Sequence, residues 1–244
     1  MWFEIIRMEN IMNILYEDKD IIVCVKEPGV PVQSDKTRDK DMVNMLRNYV
    51  IDSEHGFTRD KGIPFIGLVH RLDRPVGGVM VFAKTPAALK ELNRQLSSGK
   101  IDKMYLAIVE DDKSIVNIDL EYALEDKWIC LEDYLLKDGR ANVSKVVKEG
   151  TKDSKKATLY YRCIDKKEDM AMLEINLITG RHHQIRVQMS HHGMALVGDT
   201  KYNEKCSIGQ VMLFSYKLAF IHPTTKKNMT FEYKPTHGEF KLFN

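Results

Sequence analysis

The chain has 244 residues, 43% of them hydrophobic and 30% charged, with 37 Lys and Arg against 35 Asp and Glu for a formal net charge of +2. That composition suits a globular chain able to bury a core without disulfide staples, and it excludes a polybasic protein that holds nucleic acid by net charge alone: a polyanion must be met by a local basic surface. With no run of about 18 apolar residues, no membrane-spanning helix is expected.

The N-terminal segment MWFEIIRMENIMNILYED carries acids at Glu4 and Glu9 and no small-residue cleavage site, so it does not read as a secretory signal. Residues 1–11 read as a short extension, and Met8 and Met12 are alternative starts to Met1. From residue 12 to 244 the chain reads as one domain. Cys24, Cys130, Cys163 and Cys206 are dispersed, with no Cys-x-x-Cys pair. They fit small core residues in a reducing compartment, and the cytoplasm is the expected location.

Residues 13–16 and 20–26 are short apolar runs split by Glu17-Asp18-Lys19-Asp20, which predicts two strands and a turn. VKEPGVPVQ (25–33) reads as a rigid loop. Val43, Leu46 and Val50 recur at helical spacing over 41–53. After a polar loop at about 54–63 comes VHRLDRPVGGVMVFAKT (69–85), strand-like at both ends but charged in its middle. Thr85 caps a helix with Pro86 in its first turn, Leu89, Leu92 and Leu96 as its stripe and Gly99 as its stop. KMYLAIVE (103–110) is a strand. Residues 111–156 are polar and weakly patterned, and 137–156 hold seven Lys and Arg against three Asp and Glu. Strands follow at 157–164 and 170–178, then a short helix within GRHHQIRVQMSHHG (180–193), then strands at about 211–221 and 229–233. Adjacent strands with few helices between them predict an α+β fold on a mainly antiparallel sheet.

Three constellations carry chemistry. If 66–73 is extended, His70 and Leu72 face one way and Arg71 and Asp73 the other. A carboxylate beside guanidiniums stays ionised and can act as nucleophile or base, although on this fragment alone a structural Asp–Arg pair at a strand end is the favoured reading. At 180–193, Arg181, His182, His183, Gln184 and Arg186 crowd a helix start, where backbone N–H groups and arginines favour anions. A metal site built from His182, His183, His191 and His192 is the weaker reading, because adjacent histidines face different ways and the His-x-x-x-His spacing is missing. Tyr105 is either a core tyrosine or an aromatic face for a base.

In order and spacing, HRLD, Gly-Gly with a strand ending FAK, KMYLA, TGRHHQIR and Gly-Asp-x-x-Tyr resemble the RluA-type RNA pseudouridine synthase family. KEPGVPV resembles its early Lys-Pro-Gly loop and LFSYKLAFIHPTT its closing strand, so the likeness runs over residues 12–235. It implies the pseudouridine synthase fold, a mixed, mainly antiparallel sheet with flanking helices and a central RNA-binding cleft. It maps the catalytic aspartate onto Asp73, the active-site tyrosine onto Tyr105, the basic partner of the aspartate onto Arg186, and an RNA-contacting arginine onto Arg71.

The implied activity is isomerisation of uridine to pseudouridine in ribosomal or transfer RNA, on a flipped-out base. The reaction involves no redox change or net hydrolysis, so no metal or cofactor is expected; no membrane is expected either, and a monomer is the default. Arg74, Arg181 and 137–156 complete the expected basic rim, with His183 and Gln184 as further RNA-facing candidates. Two departures stand out. Pro75-Val76-Gly77-Gly78 follow Arg74 where many members have Thr-Ser-Gly, and KEPG replaces the commoner Lys-Pro-x-Gly, so Lys26 receives no role. The rivals are a non-catalytic RNA-binding protein and a metal-dependent hydrolase using the histidines.

Overall fold

The structure, a computed structural model, describes residues 12–34, 39–52, 62–110, 127–167, 169–206 and 209–243. The expected extension 1–11 lies outside them. The chain divides into two compact units, one formed by Met1–Ile101 with Ala219–Tyr233, the other by Asp102–Leu218 with Lys234–Asn244. The architecture is α+β, mainly antiparallel, with few helices among the described residues.

In the first unit, β1 (Asn13–Glu17) pairs antiparallel with β2 (Ile21–Lys26), and β2 pairs antiparallel with β4 (Gly77–Ala83). Every residue of β2 and β4 is buried, which is why IIVCVK and GGVMVFA read as unbroken apolar runs and not as alternating ones. Opposite Lys26 in this register stands Gly78, whose φ of +139° is denied to residues with a Cβ. Helix α1 (Met42–Asp52) buries Met42, Val43, Leu46 and Val50, and Asp41 accepts from the Asn44 N–H at 2.8 Å to cap it.

The expected extended run 66–73 is only partly strand. β3 (Gly67–Leu68) pairs with β4, and the chain then leaves regular structure and turns, with Val76 N–H donating to the Asp73 carbonyl at 2.9 Å. Alternation persists without the ladder, since His70 and Leu72 are buried while Arg71 is exposed and Asp73 half-buried.

Helix α2 (Pro86–Ser97) follows the expected grammar. Thr85 accepts from Ala88 N–H, Pro86 opens the first turn, and Gly99 at φ +68° closes the end. Its buried face is Ala88, Leu92 and Gln95, with Leu89 and Leu96 at the margin. Gln95 is buried because its amide acts as a strand edge: Nε2 donates to the Ile221 carbonyl at 2.8 Å and Oε1 accepts its N–H at 3.0 Å. Periodicity weighs apolar residues and passes over such a glutamine. Ile221 ends β10 (Leu213–Ile221), which pairs with β11 (Asn228–Glu232).

In the second unit the strand order is β5 (Asp102–Glu110), β9 (Met170–Leu177), β8 (Lys155–Lys167), β6 (Ile129–Asp138) and β7 (Val143–Val147), each pair antiparallel. β8 shows one-sided burial: Ala157, Leu159, Tyr161 and Cys163 face the core, while Tyr160 and Ile164 are exposed. The β6–β7 hairpin lies in the stretch that sequence analysis left without elements. Leu131 and Leu135 are its buried anchors, spaced among Glu132, Asp133 and Lys137, so its periodic signal is diluted by charge. Helix α3 (Gln184–His191) stands where the sequence set a short helix. Of the cysteines, Cys24 and Cys163 are buried, Cys206 is half-buried and Cys130 is exposed.

Candidate active site

Asp73 sits in the turn between β3 and β4, and its neighbours hold that turn from several sides. Leu72 and Val76 are buried. His70 Nε2 accepts from the Val81 N–H at 3.3 Å. The carbonyl of Arg74 accepts from Lys26 Nζ at 3.0 Å and from Gly29 N–H at 2.8 Å. Arg74 returns the contact, donating from Nε to the Gly29 carbonyl at 3.0 Å, and pairs with Asp39 at 2.9 Å.

Lys26 has no role in the family pattern as matched. It has 0% exposure and also donates to the Glu27 carbonyl at 3.0 Å. Burial pushes its ammonium down to about 7, against the negative charges of Asp73 and Glu27, which favour the proton. A buried amine thus ties the KEPG loop to the Asp73 turn. Its signal was its place at the end of an otherwise apolar strand, where a lysine needs partners at hand.

Tyr105 lies in β5 opposite Ile175, buried to 5% exposure. Helix α3 starts after His183, whose φ of +53° is left-handed. Gln184 is buried, and its amide is engaged within the chain: Oε1 accepts from Thr179 Oγ1 at 2.8 Å and from Arg181 N–H at 3.0 Å, and Nε2 donates to the Thr158 carbonyl at 3.1 Å. Arg181 is exposed, its Nε donating to the Lys156 carbonyl at 2.9 Å. The RNA-facing candidates therefore separate. Arg71, Arg74 and Arg181 present exposed cations, whereas His183 and Gln184 are buried.

Arg186 is also buried. Its Nε and Nη2 donate to Asp199 Oδ2 and Oδ1, each at 2.7 Å, in a bidentate pair with 4% and 1% side-chain exposure. The Tyr202 ring lies over the guanidinium, 5.2 Å away. Tyr202 Oη accepts from Ser144 N–H at 2.7 Å and meets His183 Nδ1 at 2.8 Å. Burial, then the charges of Arg186 and His182, push His183 down to about 3, so it is neutral at ordinary pH. The Gly-Asp-x-x-Tyr signature contained Asp199 and Tyr202, but spacing alone gave neither a task.

In the histidine pairs, His182, His183 and His192 are engaged in hydrogen bonding. His182 meets Ser144 Oγ at 3.0 Å and Asn142 Oδ1 at 3.1 Å, and His192 meets Asp133 at 3.0 Å. Among the described residues, the group with metal-ligand spacing is Asp18, Asp20 and His222, with donor atoms within 4.8 Å. His222 Nδ1 accepts from Thr224 and Thr225 N–H groups, so Nε2 keeps its proton and donates to Asp18 at 2.8 Å. Asp18 also accepts from the Asp20 backbone N–H at 2.8 Å.

The model of the RNA pseudouridylate synthase family matches residues 20–191. An uncharacterized RNA pseudouridine synthase of Aquifex aeolicus is 33% identical over 241 residues, covering 93% of this chain and 71% of that protein. Ribosomal large subunit pseudouridine synthase C of Buchnera aphidicola is 30% identical, over 91% of this chain and 67% of that protein. In fold, the chain is similar to human RNA pseudouridylate synthase domain containing 4, with a TM-score of 0.70 at 21% identity over 95% of this chain and 92% of that one. The chain belongs to the RNA pseudouridylate synthase family, in its RluA-type branch. Its activity is accordingly that of an isomerase acting on uridine in RNA.

Proposed function

We propose that the chain isomerises particular uridines of structured ribosomal or transfer RNA, with Asp73 as the catalytic carboxylate. The observation that carries this reading is the Asp73 turn: a half-buried carboxylate on a loop whose backbone is fastened by the buried Lys26 and by Gly29. Such fastening is what a reacting group needs to be held in one place. A ribosomal substrate is favoured by relatives named for the ribosomal large subunit.

The reaction breaks N1–C1′, turns the base and forms C5–C1′; C5 then gives up its proton and N1 takes one up, so the composition is unchanged. Nothing is oxidised or reduced, so the chemistry calls for no redox cofactor. Asp73 supplies the anion, either by attacking carbon or by assisting proton removal. Arg186 supplies a positive charge to stabilise the anion of the reaction. Tyr105 offers its ring to the flipped base, and Arg71, Arg74, Arg181 and the 137–156 segment meet phosphates. The family match runs through both compact units, which supports reading residues 12–244 as one catalytic domain.

The test is a pseudouridine map of total RNA from cells lacking the protein, complemented with wild type or Asp73→Ala. Sites that vanish, return with wild type and stay absent with Asp73→Ala are the expected result. Equal restoration by Asp73→Ala overturns the assignment of Asp73. In purified enzyme, Tyr105→Phe keeps most activity if stacking is the whole of that residue's task, and loses it if the hydroxyl moves a proton.

A further inference from the structure

Arg186 is a full positive charge at 4% exposure, gripped on one edge by a carboxylate. Asp199 bonds the Nε and Nη2 side of the guanidinium at 2.7 Å twice over. Because guanidinium is planar and rigid, fixing one edge fixes the direction in which the remaining N–H groups project.

Asp199 is itself held by backbone. Its Oδ1 accepts from Lys201 N–H at 3.1 Å, its N–H donates to the Leu196 carbonyl at 3.2 Å, and its carbonyl accepts from Asn203 N–H at 2.8 Å. Gly198 before it has φ +75°, and a Cβ there would lie 1.9 Å from the Gln210 carbonyl oxygen. Above the guanidinium, Tyr202 is anchored by its hydroxyl to Ser144 on the β6–β7 hairpin and to neutral His183. So many restraints on one ion pair exceed what neutralising a buried charge requires.

We infer that Asp199 is a positioning residue of the isomerisation, aiming Arg186 by a bidentate grip, with the Tyr202 ring holding the guanidinium plane from above. This rests on the reading of Arg186 as a functional cation. Asp199 touches no reacting atom in this account and acts through Arg186 alone, so removing it has no further effect once Arg186 is gone.

The experiment is a double-mutant cycle on the full chain with Arg186→Gln, Asp199→Asn and the pair. Single-turnover rate at saturating RNA, RNA affinity and thermal unfolding are measured for each. Asp199→Asn is expected to lower the single-turnover rate by about a hundredfold, as expected when a transition-state interaction is lost, with RNA affinity within about threefold of wild type. The double variant is expected to be no slower than Arg186→Gln. A wild-type rate in Asp199→Asn beside an inactive Arg186→Gln overturns the inference and leaves the site reading standing. A wild-type rate in Arg186→Gln overturns the site reading first. Multiplicative losses in the double variant show a purely structural Asp199 and also overturn the inference. Should Asp199→Asn fail to fold, Tyr202→Leu decides. A reduced rate with intact RNA binding supports the grip, and an unchanged rate refutes it.

Discussion

At the scale of single residues, the fold buries Lys26 and Arg186 and partners them differently. Arg186 is a guanidinium, always charged, and a bidentate carboxylate answers it, whereas Lys26 is answered by two carbonyls and is pushed down to about 7. The consequence for Lys26 has a definite sign. Between pH 7 and the ordinary lysine range of about 10.5 the unfolded chain holds a proton that the fold has released, so stability rises with pH across that window. Below pH 7 both states hold it, and the slope from this group vanishes. Lys26→Met lacks the effect. Urea midpoints at pH 7 and pH 10 are therefore expected to rise more for wild type than for Lys26→Met. At pH 7 the variant leaves the Glu27 carbonyl without its lysine donor, at a cost of about 1–3 kcal/mol if the group is left dry.

At the scale of elements, the Gly198 corner and the β6–β7 hairpin carry separate predictions. Gly198→Ala sets a Cβ against the Gln210 backbone at a φ that alanine resists, so the corner must move. We expect a loss of about 2 kcal/mol or more in denaturant unfolding, the range for strain at a special backbone position. Activity should fall further than stability, because the corner carries Asp199. The hairpin presents Lys137, Arg140, Lys145 and Lys148 as exposed cations. If these meet phosphates, changing all four to Gln flattens the plot of log affinity against log salt by about 3, taking about 0.7–0.9 per contact. An unchanged slope in filter binding removes the hairpin from the RNA surface.

The same elements show what a sequence can disclose. Strands β2 and β4 were legible because burial on both faces leaves an uninterrupted apolar run, and α2 because Thr85, Pro86 and Gly99 each mark a boundary by their own stereochemistry. The β6–β7 hairpin was not, since only widely spaced Leu131 and Leu135 anchor β6. Asp73, Tyr105 and Arg186 were visible as members of a family pattern. The Lys26 clamp and the Asp199 grip were not, because hydrogen bonds to backbone carbonyls and pairs between distant residues leave no period in the chain. Gly-Asp-x-x-Tyr showed where to look, but only the fold shows that its aspartate holds an arginine.

At the scale of the whole molecule, the first unit is discontinuous: its residues up to Ile101 are completed by Ala219–Tyr233. The joining bonds are specific. Gln95 clasps Ile221, and Asp18 accepts from His222. A ribosome making this chain at about 5–20 residues per second delivers Ala219 on the order of ten seconds after Ile101. Throughout that interval the nascent β2–β4 layer and α2 stand without their last neighbours, while the intervening segment emerges and can begin to pair its own strands. Both units therefore wait for residues near the end of the chain before they are complete. The part of the protein made first, which carries the proposed catalytic aspartate, is among the last to be closed.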